Sequence, residues 1–181
     1  LFEGDDGQLK EPVRQLVERG FAVIGLDLFK QGEFLNAGES SVENPRTTYS
    51  KNGADLPEDS WQRSSVYFYG YNHSLFAKRV HDVLTAVTFA WNHDTWTPKE
   101  VSLLGEPGTG HWVAAARHVA GSQIDRAVVR TDGFRFATLE SDWDGDFLPG
   151  AVKYGDLAGL LLGSAPESLM LIDGDKDLER R

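Results

Sequence analysis

Cysteine is absent from this chain, and acidic residues outnumber basic ones. The missing cysteines exclude disulfide bonds, thiolate nucleophiles and cysteine-ligated zinc. Eighteen Lys and Arg residues stand against 28 Asp and Glu residues, which gives a formal net charge of −10. Nucleic acids and anionic membrane surfaces attract clusters of Lys and Arg. We therefore expect neither as a partner.

Long apolar segments are missing as well. No apolar run approaches the ~18 residues of a membrane-spanning helix, and the residues after Leu1 show no basic and apolar leader of the signal-peptide kind. The sequence is nevertheless 40% hydrophobic, with five Trp, ten Phe and five Tyr among its 181 residues. This content is sufficient for a buried core, and the length is that of one domain. We expect a single domain over residues 1–181.

The most informative stretch is VSLLGEPGTGHWVAAARHVAG, from Val101 to Gly121. A short apolar run ends at a Gly/Pro-rich turn over residues 105–110, helix-forming residues follow from His111, and Gly121 ends them. Strand, tight turn and helix is the layout of a nucleophile elbow, in which G-x-S-x-G raises a serine above an α/β sheet. Here the layout is present and the serine is not.

Alternating helices and apolar strands flank this stretch. Helices are predicted near residues 8–19, 74–91 and 157–162, and strands near 21–28, 101–104, 124–130 and 168–172. Asn72 is the expected cap of the helix 74–91, and the apolar run 21–28 is typical of a strand buried on both faces of a parallel sheet. The order of elements predicts an α/β fold with a doubly wound, mainly parallel sheet.

Several stretches resemble the α/β-hydrolase superfamily. DLFKQGE is similar to the Asp-x-x-Gly-x-Gly turn after an early strand, VSLLGEPGTGHWVAAA to the elbow strand and helix, and SLMLIDGDKD to the strand that presents the acid of the triad. YGYNHSLFAKRVHDVLTAV and FLPGAVKYGDLAGLL resemble acetylxylan esterases and dienelactone hydrolases, especially degenerate esterase-like domains within larger bacterial proteins. The resemblance covers nearly the whole chain.

The resemblance implies a sheet of the α/β-hydrolase type that is incomplete at both ends. It implies hydrolysis of a small ester or an acylated carbohydrate, without a cofactor. Other domains of the same native chain are implied partners, and an extracellular or periplasmic location is favoured. No metal is assigned, because the acidic clusters 142–146 and 173–177 lack the spacing of an EF-hand loop and no histidine pair has zinc spacing. Calcium at either cluster stays open.

The elbow aligns with the family pattern in two frames. If Gly105 is the first glycine, the nucleophile slot falls on Pro107, whose φ is fixed near roughly −65°, whereas an elbow needs a strained backbone there. The shifted frame puts Gly108 in the slot and Gly110 at the final glycine. Glycine tolerates positive φ but supplies no nucleophile. Thr109, one position away, is the nearest hydroxyl and the candidate nucleophile.

The acid of a triad is matched best by Asp177, with Asp175 and Asp132 as lesser candidates. A solvated acidic loop is the plainer interpretation of each. The triad histidine of the family normally follows one further strand, and the sequence reaches Arg181 first. The resemblance therefore implies the central part of a hydrolase fold.

Two further features are candidate binding elements. Gly108, Thr109 and Gly110 open a helix, whose N-terminal N–H groups can bind an anion or form an oxyanion hole; a tight turn chosen for close helix–strand packing is the alternative. Aromatic side chains in or after the long polar segment can line a substrate pocket or pack onto the core. These candidates for substrate lining are Trp61, Tyr69 and Tyr71.

Two functional hypotheses follow. The first is an ester hydrolase, and the second is a catalytically silent hydrolase-like domain kept for binding or scaffolding. They differ in whether Thr109 or a serine lies within hydrogen-bond reach of a His–Asp pair. The serines in question are Ser64, Ser65 and Ser141. Nucleotide binding is a third class, but G-E-P-G-T-G lacks both the G-x-G-x-x-G pattern and the Gly-Lys-Ser/Thr ending of a P-loop.

Overall fold

A computed structural model of the chain describes residues 2–3, 7–36, 38, 43–44, 66–163 and 169–172. Its helices are α1 (Glu11–Glu18), α2 (Val66–Tyr69), α3 (Leu75–Trp91), α4 (Gly110–Ala120) and α5 (Asp156–Leu162). Its strands are β1 (Phe2–Glu3), β2 (Gln8–Leu9), β3 (Ser102–Gly105), β4 (Arg126–Arg130) and β5 (Leu169–Ile172). β1 and β2 form a short antiparallel pair, and the other three strands form a parallel sheet in the order β3-β4-β5. The predicted α/β class with a parallel sheet is confirmed.

The side chains of the parallel sheet alternate between a packed face and a bare face. Leu103, Ala127 and Leu169 lie at one level of the register, and all three belong to or pack against the hydrophobic core. The next level carries the opposite side chains. This face, which no described helix covers, carries the apolar residues Leu104, Val128, Met170 and Ile172 together with Ser102, Arg126 and Arg130. The sheet is therefore covered on one face by the described helices.

Helix α4 lies at the centre of the core. All of its residues from Gly110 to Arg117 are buried, as expected for a helix that is apolar nearly all round. It packs against α3, α5, β3 and β4. The small side chains of Ala114 and Ala116, both fully buried, allow the close approach of these neighbours.

Helix α3 confirms the prediction for residues 74–91, but the expected cap is wrong. Ser74 is the N-cap, and its hydroxyl accepts a hydrogen bond of 3.2 Å from the N–H of Ala77. An N-cap side chain reaches the N2 or N3 amide only from the position just before the helix. Asn72 stands two positions too early for this, and its amide nitrogen instead donates to the carbonyl of Phe68.

The prediction of a buried strand over residues 21–28 is wrong. These residues have no regular secondary structure, and all but Val23 and Leu28 are exposed. A strand is held by ladder hydrogen bonds to a neighbouring strand, and no described strand pairs with this run. An apolar composition is therefore not sufficient to make this run a strand.

The segment before this run is equally unpacked. Helix α1 is shorter than the predicted 8–19, because Gln8 and Leu9 pair with β1, and it has no buried residue. Leu28 is the first buried residue along the part of the chain whose burial is described. The N–H of Phe29 then donates to Asp82 at 2.7 Å. Residues 8–27 therefore precede a fixed anchor on α3.

None of the helices in the described part of the chain has the length and apolarity of a membrane span.

Candidate functional site

A turn joins β3 to α4 where the sequence predicts the elbow. β3 ends at Gly105 and α4 begins at Gly110. The left-handed backbone of the turn falls on Gly108, with φ at 76°. The alignment frame that places Gly108 in the nucleophile slot therefore fits this backbone better than the frame that uses Pro107.

Gly110 lies where the close approach of α4 to the sheet requires a residue without a side chain. A Cβ atom at this position would lie 1.9 Å from the carbonyl oxygen of Arg130. A Cβ at Gly105 would lie 2.8 Å from the Cα of Gly110. Both contacts involve backbone atoms, which cannot rotate away. Close helix–strand packing thus accounts for two of the glycines of this turn.

Two N–H groups of the turn, those of Gly108 and Thr109, donate to acceptors within the protein. Gly108 N–H donates to Oδ2 of Asp132 at 3.3 Å, and Thr109 N–H donates to the carbonyl of Glu106 at 2.9 Å. The hydroxyl of Thr109 donates to the same carbonyl at 2.8 Å. The Asp132 carboxylate therefore lies where an external anion would meet the amide of Gly108.

Of the candidate triad acids, the structure brings one to the turn. Asp132 follows β4 with φ at 49°, and its Oδ1 lies 3.3 Å from Nε of Arg130. Asp175 and Asp177 lie outside the described residues, as do Ser64 and Ser65.

A buried charged cluster lies around Asp146, on the loop before α5. Its Oδ1 accepts a hydrogen bond of 2.9 Å from Nε1 of Trp112 and lies 3.1 Å from Nε2 of His111. Nη1 of Arg79 lies 3.5 Å away, and the Arg79 guanidinium stacks over the Trp112 ring at 4.7 Å. We call these four residues the Asp146 cluster.

The negative charge of Asp146 is stabilised by the other three residues of the Asp146 cluster. Burial alone would raise the pKa of Asp146, but His111, Trp112 and Arg79 together hold it below its ordinary value. Burial lowers the pKa of Arg79, and the nearby carboxylates of Asp146 and Asp144 oppose that change. Nε2 of His111 lies close to the Asp146 carboxylate, but in the described part of the chain it meets no acceptor in full hydrogen-bond geometry.

Sequence reasoning missed this cluster, although two signals point to it. Arg79 lies three residues after Phe76 and four before Val83, on the apolar face of α3. A cation on such a face needs a buried partner. His111 lies in the buried first turn of α4 and stacks against Phe134, with ring centroids 4.1 Å apart. Its partner Asp146 lies 35 positions later, and spacing within α4 does not reveal it.

The acidic loop that carries Asp146 is fixed by two residues from elsewhere in the chain. Tyr69 donates its hydroxyl hydrogen to the carbonyl of Asp142 at 2.5 Å and stacks on Phe147 with centroids 5.5 Å apart. Asn44 N–H donates to the carbonyl of Trp143 at 2.7 Å. In this position Tyr69 packs the loop onto the body of the domain.

The sequence also predicts Trp61 and Tyr71 as aromatic residues that line a substrate pocket. Tyr71 is 95% exposed, and Trp61 lies outside the described residues.

Replacing Asn44 with alanine is expected to destabilise the chain by about 1–3 kcal/mol. The Asn44 side chain is 1% exposed, and its Oδ1 accepts the N–H of Leu75 at 2.7 Å. Alanine leaves that buried donor without its acceptor. Urea denaturation monitored by tryptophan fluorescence measures the change.

The matched control for this prediction is Asn72→Ala. The Asn72 side chain is exposed and donates at 3.3 Å to a single carbonyl, so a loss of only a few tenths of a kcal/mol is expected. Equal losses in the two variants would contradict the role assigned to Asn44.

A cleft of about 300 Å³ opens beside the acidic loop. It is lined by Glu43, Arg79, Ser141, Trp143, Asp144, Gly145 and Asp146. An indole ring, a guanidinium and several carboxylates offer both a stacking surface and hydrogen-bond partners. Over the described residues, no group of three or more His, Asp or Glu side chains is arranged to hold a metal ion. The acidic cluster 173–177 lies outside those residues.

Comparison of the chain with protein-family models, with curated proteins and with solved structures gives no match.

Proposed function

We propose that this chain is a catalytically silent domain of the α/β-hydrolase type, kept for binding or scaffolding. The observation that carries the proposal is the elbow turn itself. Its left-handed position is Gly108, with φ at 76°, and glycine has no side chain to attack an acyl group. Acyl transfer through a triad needs a nucleophile next to a base that is oriented by a third group.

Thr109 is a poor substitute for the missing serine. Its hydroxyl hydrogen is directed to the carbonyl of Glu106 at 2.8 Å, which leaves the oxygen without an activating base on that hydrogen. His111, two positions later, is turned inward, since its side chain is 4% exposed and lies against Asp146. The carboxylate of Asp132 accepts the hydrogen bond of the Gly108 N–H. An oxyanion at this amide would meet the negative charge of that carboxylate.

The cleft beside the acidic loop supports the binding role. Its lining includes the aromatic residue Trp143 and the charged residues Arg79 and Asp144. A small ester or an acylated carbohydrate is the ligand class that the resemblance to acetylxylan esterases implies. This ligand class is part of the proposal.

Hydrolysis of a short-chain acyl ester is expected to stay at the uncatalysed background for the purified chain. The variants to compare are Thr109→Ala and Asp132→Asn, and cooperative thermal unfolding by circular dichroism shows that each is folded. The physical reason is that the described residues at the turn form no nucleophile–base pair.

Thr88→Ala is the matched control, because Thr88 also donates its hydroxyl hydrogen to a backbone carbonyl but lies on the exposed surface of α3. Activity above background that falls in Thr109→Ala and not in Thr88→Ala would overturn the proposal, since it would show a working site around a displaced nucleophile.

A further inference from the structure

The cleft beside the acidic loop carries an excess of negative charge. Its described lining contains one guanidinium, that of Arg79, and three carboxylates, which leaves a formal charge of −2 at neutral pH. The carboxylates belong to Glu43, Asp144 and Asp146, and the whole chain carries a formal charge of −10. A cleft lined by an excess of one sign of charge raises the local concentration of ligands of the opposite sign. A cationic ligand is therefore favoured at this cleft over a neutral or an anionic one.

Arg79 offers a ligand a hydrogen-bond donor that the described residues do not use. Its side chain is 7% exposed, Nε donates to the carbonyl of Phe29 at 3.3 Å, and Nη1 donates to Oδ1 of Asp146 at 3.5 Å. Nη2 meets no acceptor among the described residues, and it is not enclosed in the interior, because Arg79 forms part of the wall of the cleft. A buried guanidinium is stabilised when its N–H groups find acceptors. A carbonyl oxygen of a ligand at Nη2 would supply one.

We propose that the cleft binds a small ester that carries an ammonium group, with the ester carbonyl at Nη2 of Arg79 and the ammonium beside Asp144 and Trp143. The inference rests on the proposed function, because it takes the ligand to be bound and not hydrolysed, and it selects one of the two ligand classes named there. A cation beside an indole ring is attracted by the electrons of the ring face as well as by a neighbouring carboxylate. The cleft volume of about 300 Å³ is at the small end of ligand pockets, which suits a small ester.

An acylated carbohydrate is the weaker ligand for these groups. An ionised carboxylate accepts hydrogen bonds and cannot donate them, so it is satisfied by a donor or a cation on the ligand. Oδ1 of Asp144 accepts the N–H of Asp146 at 2.8 Å, whereas Oδ2 meets no donor among the described residues. Acylation replaces the hydroxyl hydrogens of a sugar, and each ester group that results is an acceptor only. An ammonium group supplies both the charge and the N–H donors that an acylated sugar lacks.

Binding of β-alanine ethyl ester and of ethyl butanoate tests the selection for charge, because the two esters differ only in the exchange of an ammonium group for a methyl group. Heteronuclear NMR of the isotope-labelled full chain follows the indole N–H of Trp143, which is assigned with the variant Trp143→Phe. We expect the ammonium ester to bind about tenfold more tightly than ethyl butanoate, or more. An acetylated methyl glucoside is the third probe. The same samples show whether ethanol or acetate is released.

Asp144→Asn removes one negative charge from the cleft and keeps an oxygen that can accept the N–H of Asp146. We expect it to weaken binding of the ammonium ester about fivefold or more and to leave binding of ethyl butanoate unchanged. The matched control is Asp125→Asn, because the Asp125 carboxylate also accepts a backbone N–H, that of Val101 at 2.8 Å. Asp125 is not among the residues that line the cleft. Its replacement should change the affinity by less than about twofold, since exposed charges at a distance are screened by salt.

Equal affinities for the two esters, equal losses in the two variants, or no binding of any probe would each overturn the inference. Tighter binding of the acetylated glucoside would also overturn it and would assign the cleft to an acylated carbohydrate, with the proposed function intact. Release of ethanol or acetate above the uncatalysed background has a different meaning. It would overturn the proposed function, and the inference with it, because the chain would then be a hydrolase.

Discussion

Replacing Gly110 with alanine is expected to cost about 3 kcal/mol or more, which is a large share of the roughly 5–15 kcal/mol that stabilises a domain. The added Cβ would lie 1.9 Å from the carbonyl oxygen of Arg130 and 2.5 Å from its carbonyl carbon. These are backbone atoms of β4, so relief requires α4 to move away from the sheet. Because α4 is buried from Gly110 to Arg117, such a movement loosens the whole core.

Gly108→Ala provides the matched control within the same turn. A Cβ there meets nothing within 4 Å, and only the φ of 76° opposes it. Left-handed backbone costs a non-glycine residue about 1–2 kcal/mol. Urea denaturation of both variants measures the difference in the free energy of unfolding. A Gly110→Ala variant as stable as Gly108→Ala would contradict the packing that we assign to this turn.

Replacing Asp146 with alanine is expected to cost about 3–5 kcal/mol. The substitution leaves the guanidinium of Arg79, whose side chain is 7% exposed, without its carboxylate. It also removes the acceptor of Trp112 Nε1. Glu100→Gln is the control, because Glu100 pairs with Arg126, whose side chain is 70% exposed. An exposed pair of this kind contributes about 0–1 kcal/mol, and similar losses in both variants would contradict a role for burial.

The Asp146 cluster also predicts a dependence of stability on pH. The pKa of Asp146 is lower in the folded chain than its ordinary value of 3.8. Its contribution is therefore complete above the ordinary pKa and is lost as the pH falls through the lower pKa of the folded state. Thermal unfolding followed from about pH 5 to about pH 2 should show a smaller acid-induced loss in Asp146→Asn than in the parent chain. A loss of equal size in the two would contradict this account.

Much of the fold could be predicted from local sequence patterns. Apolar residues at helical spacing predict helix α3. A short apolar run predicts β3, a glycine cluster predicts the turn, and helix-forming residues predict α4. These signals lie within each segment, so the element bounds agree to within about two residues with the structure. The strand prediction for residues 21–28 is wrong for the opposite reason. A strand depends on a neighbouring strand to pair with, and its own residues do not encode that neighbour.

The candidate site was predictable only in part. The turn and its glycines follow from the sequence, and the structure adds that the left-handed position is Gly108. The Asp146 cluster was not predicted, because Arg79, His111 and Asp146 come from two helices and a loop. Contacts across such separations arise from the packing of α3 on α4, and periodicity within either helix does not report them.

The open space above Gly108 has a practical consequence. A Cβ at this position meets no atom within 4 Å, and the natural sequence offers no competing thiol. Gly108→Cys would therefore give a single, selectively labelled attachment point at the tip of the turn, where a fluorophore or spin label would report the environment at the carboxyl edge of the sheet directly.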